Sequence, residues 1–211
     1  LITSGPTREA IDPVRFISNR SSGKMGISLA LEAYRRGAEV TVVHGPLTGT
    51  PKLPRGITRV PVTAALEMRD AVLTRINDGF DIIIMAAAVA DFRPESAADQ
   101  KIKKTTAAPV INLASNPDIL KEVGEKKGAS RSPFLVGFAV ETGGPANLIS
   151  EVRRKLQQKN ADLVVGNLAE DSFDKNTNRV WLVSRDGREQ EVTTAHKSSI
   201  AKKIFDAIIG G

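Results

Sequence analysis

The stretch FDIIIMAAA, residues 80–88, decides the fold of this chain. An apolar run without polar alternation is typical of a strand buried on both faces at the centre of a parallel sheet. Further short apolar runs lie on either side of it, at residues 1–4, 39–44, 57–62, 134–140 and 162–166. Segments with helical spacing separate most of them. This alternation predicts βαβ units and a parallel sheet covered by helices.

The helical segments show apolar side chains at every third or fourth position. In the first, these are Ile27, Ala30, Leu31 and Tyr34, and Ser21 and Ser22 are candidate N-caps. The pattern returns over 64–77, where Leu66 is one of the apolar positions, then before Lys159, and again up to Ile209. Residues 45–56 hold three prolines and predict a loop.

The last part of the chain has a different pattern. Residues 179–184 and 189–193 flank Arg-Asp-Gly-Arg at 185–188, which is typical of a β-hairpin. The sequence therefore predicts an α/β, Rossmann-like, doubly wound domain with a mainly parallel sheet and an antiparallel extension. We expect residues 1–211 to form a single domain. Because the chain opens in a strand-like segment without Met, we expect it to be the C-terminal part of a longer chain.

Composition limits the classes of function. Cysteine is absent and histidine occurs only at His44 and His196, which disfavours thiolate and histidine metal sites. No run approaches the roughly 18 apolar residues of a membrane span, so a soluble protein without a membrane partner is expected. The absence of cysteine fits the reducing cytoplasm, which is the expected location. The net charge of +6 suits nucleic acid or a site for several phosphates. An aromatic content of only 4% disfavours stacking on bases, so we predict phosphorylated small molecules and no nucleic acid.

Three common nucleotide motifs are missing. The segment after the first strand, Gly5-Pro6-Thr7-Arg8, does not supply G-x-G-x-x-G. Gly23-Lys24 resembles the end of a P-loop, but Met25 replaces the required Ser or Thr. The single tyrosine, Tyr34, has Ala38 where a short-chain dehydrogenase has lysine. These absences disfavour a dinucleotide oxidoreductase.

Five blocks in order carry a resemblance instead. They are TSGPTREAIDPVRFISNRSSGKMG at 3–26, AAAVADF at 86–92, KIKK at 101–104, NPDI at 116–119 and GFAVET at 137–142. Together they resemble the phosphopantothenoylcysteine synthetase family, whose bacterial members are usually fused behind a flavin-dependent decarboxylase. The resemblance spans nearly the entire chain and implies the missing decarboxylase portion, where FMN would bind.

The resemblance implies a ligase of coenzyme A biosynthesis. Its partners would be 4′-phosphopantothenate, L-cysteine and CTP, with Mg²⁺ or another divalent cation accompanying the triphosphate. The acid would attack the α-phosphorus of CTP, giving an acyl-cytidylate and pyrophosphate, and the cysteine amine would then displace CMP. Three alternatives stay open: the same ligation with ATP, a Rossmann-type NAD(P)-binding oxidoreductase, and a regulatory module without turnover.

The resemblance also implies site residues. Asn19 and Lys101 would be catalytic, and Arg15, Ser21, Ser22 and Gly23 would bind the substrate phosphate or carboxylate. The nucleotide would be bound by Ala87, Ala88, Asp91, Lys101, Ser115, Asn116, Pro117, Phe138, Lys155 and Lys159, whereas the metal ligands stay unassigned.

The residues alone allow a simpler interpretation of each of these positions. Asn19 and Asp91 would stabilise turns, Arg15 would form a surface salt bridge, and the lysines would be solvated. Pro117 would start a helix at its first position, and Phe138, at the end of a strand, would belong to the core.

A homodimer is the last expectation. Residues 108–113 and the hairpin over 179–193 are predicted to be strand-like extensions outside the parallel core, and unpaired strand edges tend to find partners. The resemblance also implies a dimer.

Overall fold

A computed structural model describes residues 1–104, 109–172 and 175–210, and all structural statements below concern these residues. The strands of the main sheet are β1 (Ile2–Ser4), β4 (Val40–His44), β5 (Ile57–Pro61), β6 (Ile82–Met85), β9 (Phe134–Glu141), β10 (Leu163–Leu168), β11 (Thr177–Ser184) and β12 (Glu189–His196). Two small sheets contain β2 (Arg8–Ala10) with β3 (Phe16–Ser18), and β7 (Phe92–Pro94) with β8 (Leu113–Ser115). The helices are α1 (Lys24–Arg35), α2 (Ala65–Leu73), α3 (Ile119–Lys127), α4 (Pro145–Gln158), α5 (Ala169–Ser172) and α6 (Lys197–Ile209).

The main sheet confirms the predicted fold class. Its strand order is β12-β11-β10-β9-β6-β1-β4-β5, and the six strands from β10 to β5 are parallel. Counted along the chain, the parallel strands follow the 3-2-1-4-5-6 order of doubly wound nucleotide-binding folds. The strands β11 and β12 are antiparallel, as the hairpin pattern predicted.

Two layers of helices bury the two faces of this sheet. On one face, α1 and α6 pack through side chains such as Ile27 and Ile204. On the other, α2, α3 and α4 pack through side chains such as Met68, Val123 and Leu148. Successive side chains of β11 point to opposite faces of the sheet, so Leu182 packs in the core under α1 and α6 and Trp181 in the core under α2, α3 and α4.

A glycine sets how closely α1 approaches the sheet. A Cβ at Gly26 would lie 2.5 Å from Ser4 Oγ, so only glycine allows this contact between α1 and β1. The close approach places the first turn of α1 directly beyond the carboxyl end of β1.

Several predictions about where the helices begin and end are wrong. The N-cap of α1 is Gly23, at φ 79°, rather than Ser21 or Ser22. The second helix ends at Leu73 and not near residue 77. Tyr34 and Leu66, two of the apolar positions at helical spacing, are exposed rather than buried. Helical periodicity predicts which face of a helix is apolar, but it does not predict how many positions at the edges of that face are buried.

The strand predictions need three corrections. The run at 80–88 forms a strand only over Ile82–Met85, and its alanines form the loop that leaves the sheet. Phe138 lies inside β9, which continues to Glu141, and so it does not end a strand. Residues 109–112 are exposed and lie in no strand, while Leu113 begins β8; residue 108 lies outside the described residues.

Candidate functional site

A cleft of about 790 Å³ opens over the carboxyl ends of β1, β6 and β9. The strand order reverses between β1 and β6, which is where doubly wound folds bind their ligands. Most of the predicted nucleotide-binding residues line it: Ala87, Ala88, Asp91, Ser115, Asn116, Pro117, Phe138, Lys155 and Lys159. Asn19 lines it as well.

The floor of the cleft is the loop over residues 86–91. Thr3 Oγ1 accepts a hydrogen bond from the Ala87 amide at 3.1 Å, and Thr7 Oγ1 accepts one from the Ala90 amide at 3.0 Å. The Ala88 amide donates to the Gly5 carbonyl at 2.9 Å. Both threonines are fully buried. These bonds tie the exits of β1 and β6 together, and the small alanine side chains leave the backbone open to a ligand.

Asn19 faces this floor from the segment before α1. Its Nδ2 donates to the Val89 carbonyl at 3.0 Å, and the side chain is exposed to the cleft. An amide nitrogen has two hydrogens, so the second stays available to an acceptor in the cleft. Arg20, which the sequence did not single out, lines the cleft beside it.

Asn116 forms a fixed corner on the opposite wall. Its Nδ2 donates to the Ala90 carbonyl at 2.8 Å, and its backbone amide donates to the Asp91 carbonyl at 2.8 Å. Arg93 Nη1 donates to Asn116 Oδ1 at 3.1 Å and so fixes the orientation of the amide. Sequence reasoning missed Arg93, because a single arginine in a short strand carries no signal. The Asp91 carboxylate accepts no hydrogen bond within the described part of the chain and projects from this corner, exposed.

Two lysines approach the cleft, each already paired with a carboxylate. Lys155 Nζ lies 3.3 Å from Glu141 Oε1, and Lys159 Nζ lies 2.6 Å from Asp118 Oδ2. Asp118 is also the N-cap of α3, which leaves Pro117 before the cap rather than at the first helical position. Lys159 is the C-cap residue of α4, its backbone amide donates to the Lys155 carbonyl at 2.9 Å, and both side chains line the cleft.

A second, smaller cavity of about 140 Å³ adjoins the cleft. Ala87, Ala88, Phe138 and Val140 line both spaces. The predicted phosphate or carboxylate residues Ser21, Ser22 and Gly23 line one side of the smaller cavity, and Lys24, Asn167, Asn178 and Lys197 also contribute. Asn167 and Asn178 are buried. The signal for Asn167 in the sequence is a polar residue within an otherwise apolar strand, β10.

Arg15 and Lys101 line neither of these two cavities. The Arg15 guanidinium forms an ion pair with Asp12, as the salt-bridge alternative anticipated, and also donates to the Ile102 carbonyl at 2.9 Å. The side chain of Lys101 is exposed. Their assigned roles stay predictions.

Two negative findings apply to the described residues. No group of three or more His, Cys, Asp or Glu side chains there is arranged to hold a metal ion. None of the helices in those ranges combines the length and apolar character needed to cross a bilayer.

Residues 1–210 match the family described as the C-terminal domain of DNA/pantothenate metabolism flavoproteins. The chain belongs to this family. A member from Bacillus subtilis (strain 168), named coenzyme A biosynthesis bifunctional protein CoaBC, is 42% identical over 212 residues. The match covers 99% of this chain and 50% of that protein. The chain thus spans about half the length of the curated relatives it matches.

Solved structures of other proteins have the same fold. A crystal structure of the C-terminal domain of a protein also named CoaBC is 37% identical with a TM-score of 0.80, covering 98% of this chain and 91% of that one. A Cab2 mutant in complex with phosphopantothenate-cysteine is 23% identical with a TM-score of 0.79, covering 99% and 84%, and shows the fold alone. The resemblance read from the five motif blocks is confirmed.

Proposed function

We propose that this chain is a phosphopantothenate–cysteine ligase of coenzyme A biosynthesis that activates the acid as an acyl-cytidylate. The observation that carries the proposal is the cleft itself, because four of the five motif blocks, all except the one at 101–104, meet there at the switch point of the sheet. The name of the Bacillus subtilis relative supports it.

The cleft has room and chemistry for the nucleotide. Asp91, Asn116 and Phe138 surround an apolar floor of alanines, where a base would stack and pair. Lys155 and Lys159 lie on the same cleft and supply cations for the phosphates. Both lysines would exchange a carboxylate for a phosphate oxygen on binding.

The reacting groups would lie between the cleft and the smaller cavity. The first turn of α1 presents backbone amides and a helix N-terminus, which favour an anion such as the substrate phosphate. Asn19 would donate to oxygens that gain negative charge when the mixed anhydride forms and when the amine attacks it. Lys101 would neutralise charge on the nucleotide phosphates, reaching them from the segment after β7.

Mg²⁺ would be held mainly by the triphosphate. Of the two carboxylates that line the described cleft, Asp118 is paired with Lys159 and Asp91 would face the base, so no protein ligand is assigned to the ion. A small divalent cation that keeps several waters and is bound largely by substrate phosphates neutralises their charge in phosphoryl-transfer sites.

The preference for CTP over ATP is part of this proposal and is supported mainly by the resemblance to the bacterial members of the family. Cytosine presents one exocyclic amine beside a ring nitrogen and a carbonyl, and the exposed Asp91 carboxylate would accept a hydrogen bond from that amine. A purine would leave polar groups unpaired at about 1–3 kcal/mol each, so two mismatches give about a hundredfold discrimination or more.

The test is pyrophosphate release from the purified protein. We expect release that requires CTP and 4′-phosphopantothenate together, and formation of the cysteine adduct when L-cysteine is added. Release without the acid, or a fluorescence change with NADPH instead, would refute the ligase. Equal kcat/KM for ATP and CTP would refute the nucleotide preference and leave the ligase assignment intact.

The remaining proposals concern the longer protein. Since the Bacillus subtilis relative is bifunctional, we propose that a flavin-dependent decarboxylase portion with FMN precedes this chain and that the whole acts in the cytoplasm. We also propose a homodimer, formed through apolar side chains that the two small sheets expose. These include Phe16, Phe92 and Leu113, which are 47%, 53% and 52% exposed.

A further inference from the structure

Asp12 is a buried carboxylate surrounded by donors. It lies in the turn between β2 and β3, and its side chain has no exposed surface. Oδ1 accepts from the amides of Val14 and Arg15, both at 2.8 Å. Oδ2 accepts from the Arg15 guanidinium, with Nε at 3.0 Å, and from the Ile102 amide at 3.0 Å. A buried charge is tolerated when it is paired and hydrogen-bonded in this way.

The bond to Ile102 joins two distant parts of the chain. Ile102 is held at both backbone groups, since its amide donates to Asp12 and its carbonyl accepts from Arg15 Nη2 at 2.9 Å. Four residues earlier, the Ala98 amide donates to the Ile11 carbonyl at 2.9 Å. The segment 98–102 is therefore fixed against the turn between β2 and β3.

Lys101 lies inside this fixed segment, directly before Ile102. Its own side chain is exposed and makes no hydrogen bond or ion pair within the described residues. The direction in which Lys101 extends is therefore set by its backbone, and the backbone is held by Asp12 and Arg15.

We propose that Asp12, acting through Arg15 and the backbone of Ile102, positions Lys101 for the ligase reaction. The inference rests on the proposed function and extends it to a residue that does not touch the substrates. Asp12 is a positioning residue. The pKa of its carboxyl is held well below the usual range, first by the hydrogen bond from Arg15, so the charge persists at physiological pH.

The decisive variant is Asp12→Asn. The amide has the same size, but its NH₂ group would face the donors of Arg15 and Ile102 in place of Oδ2. We expect kcat to fall about ten- to a hundredfold, the effect of a reacting group displaced by about 1 Å, with the KM for CTP changed less than about twofold. Trypsin should also cleave after Lys101, Lys103 and Lys104 about tenfold faster, because the segment is released.

Glu9→Gln is the matched control. Glu9 is a buried carboxylate on β2, close to Asp12 in sequence, but its Oε1 accepts from the Ala65 amide at 3.0 Å and holds the start of α2. Glu9→Gln should leave both kcat and the cleavage rate at 101–104 unchanged. If Asp12→Asn does not fold, Ile102→Pro removes the amide donor at a half-buried position and should give the same two effects. Because proline also replaces the Ile side chain and restricts the backbone of Lys101, Ile102→Ala, which keeps the amide, is its control and should give neither effect.

A double-mutant cycle with Lys101→Gln separates positioning from general damage. If Asp12 acts through Lys101, adding Asp12→Asn to Lys101→Gln should not lower kcat further. An equal loss in both backgrounds, or wild-type kcat for Asp12→Asn, would overturn the inference. So would wild-type kcat for Lys101→Gln, while CTP-dependent ligation by the unsubstituted protein would still stand. Absence of that ligation would mark the failure of the proposed function itself.

Discussion

At the scale of single residues, the polar groups of the cleft either stabilise its loops through hydrogen bonds or are available to bind the ligand. Asn19 illustrates both, because one hydrogen of its amide bonds Val89 and the other faces the cleft. Asn116 differs, since Nδ2 bonds Ala90 and Oδ1 is taken by Arg93. We therefore expect Asn19 to affect the chemical step and Asn116 to shape the wall.

Asn19→Ala removes the donor that would face the charged intermediate. The rate of ligation should fall about 10²–10³-fold, by analogy with donors of oxyanion holes, while the melting temperature stays nearly the same. Steady-state turnover and thermal unfolding measure the two effects. Asn147→Ala is the control. Asn147, on α4, is also exposed, and within the described residues its side-chain amide donates only to the nearby Gly143 carbonyl. Turnover near the wild-type value for Asn19→Ala would contradict the assignment.

Thr7 holds the floor of the cleft from below. Thr7→Val keeps the shape of the side chain but leaves the Ala90 amide unpaired. The free energy of unfolding should fall by about 1–3 kcal/mol, measured by denaturant titration. In Thr74→Val, the lost hydroxyl bonds the Asp70 carbonyl at the exposed end of α2, so the change should stay within about 0.5 kcal/mol. Equal losses in the two variants would show that the floor does not depend on Thr7.

Several residues of the site could be predicted from the sequence and others could not. The blocks that carry Asn19, Asp91 and Asn116 did predict residues that line one cleft. The pairing of Asp12 with Ile102 could not be predicted, because it joins positions far apart in sequence through one backbone amide. Local patterns contain no information about such a contact.

At the scale of elements, the strand order and the helix layers follow from periodicity, but the ends of elements do not. The alanines after β6 are as apolar as a strand, yet they bond the loop after β1 and leave the sheet. The N-cap of α1 at Gly23 depends on a positive φ and on the close contact of Gly26 with Ser4 in β1, and helical periodicity predicts neither of them. Apolar character predicts burial, and burial alone does not separate a strand from the loop that extends it.

Asp118 at the start of α3 and Lys159 at the end of α4 form an ion pair, and we expect their substitution to change the Kd for CTP in opposite directions. Lys159→Gln removes a cation from the cleft and should raise the Kd for CTP about tenfold. Asp118→Asn removes the carboxylate that competes for Lys159, yet asparagine remains a good N-cap, so the Kd should fall while α3 persists. Calorimetric titration with CTP measures both changes.

Lys126→Gln is the control for this pair. Lys126 is exposed on α3 and does not line the cleft, so its replacement should leave the Kd unchanged. A Kd that rises in Asp118→Asn would mean that the carboxylate supports nucleotide binding rather than opposing it.

At the scale of the whole molecule, the open question is what covers the two small sheets. The sheet of β2 and β3 contacts the sheet of β7 and β8, and together they expose apolar side chains that the main cores do not cover. The hairpin of β11 and β12 is less suited to a dimer contact. Its edge strand β12 carries Glu189 and Glu191, which are paired with Arg153 and Arg179. Charged edges resist pairing with another chain. We therefore propose that the contact of the proposed dimer lies on the small sheets.

Phe92→Glu tests that placement. In a twofold dimer each substitution acts in both copies, so losing two buried Phe side chains would weaken association by about 3–6 kcal/mol, or about two to four orders of magnitude in Kd. Sedimentation velocity should then show a dimer for the unsubstituted protein at micromolar concentration and a 22.6 kDa monomer for the variant. Ile209→Glu, which alters a side chain that is 63% exposed at the end of α6, should leave the dimer intact. A monomer before any substitution, or a dimer that survives Phe92→Glu, would show that the small sheets are not the dimer contact of this chain.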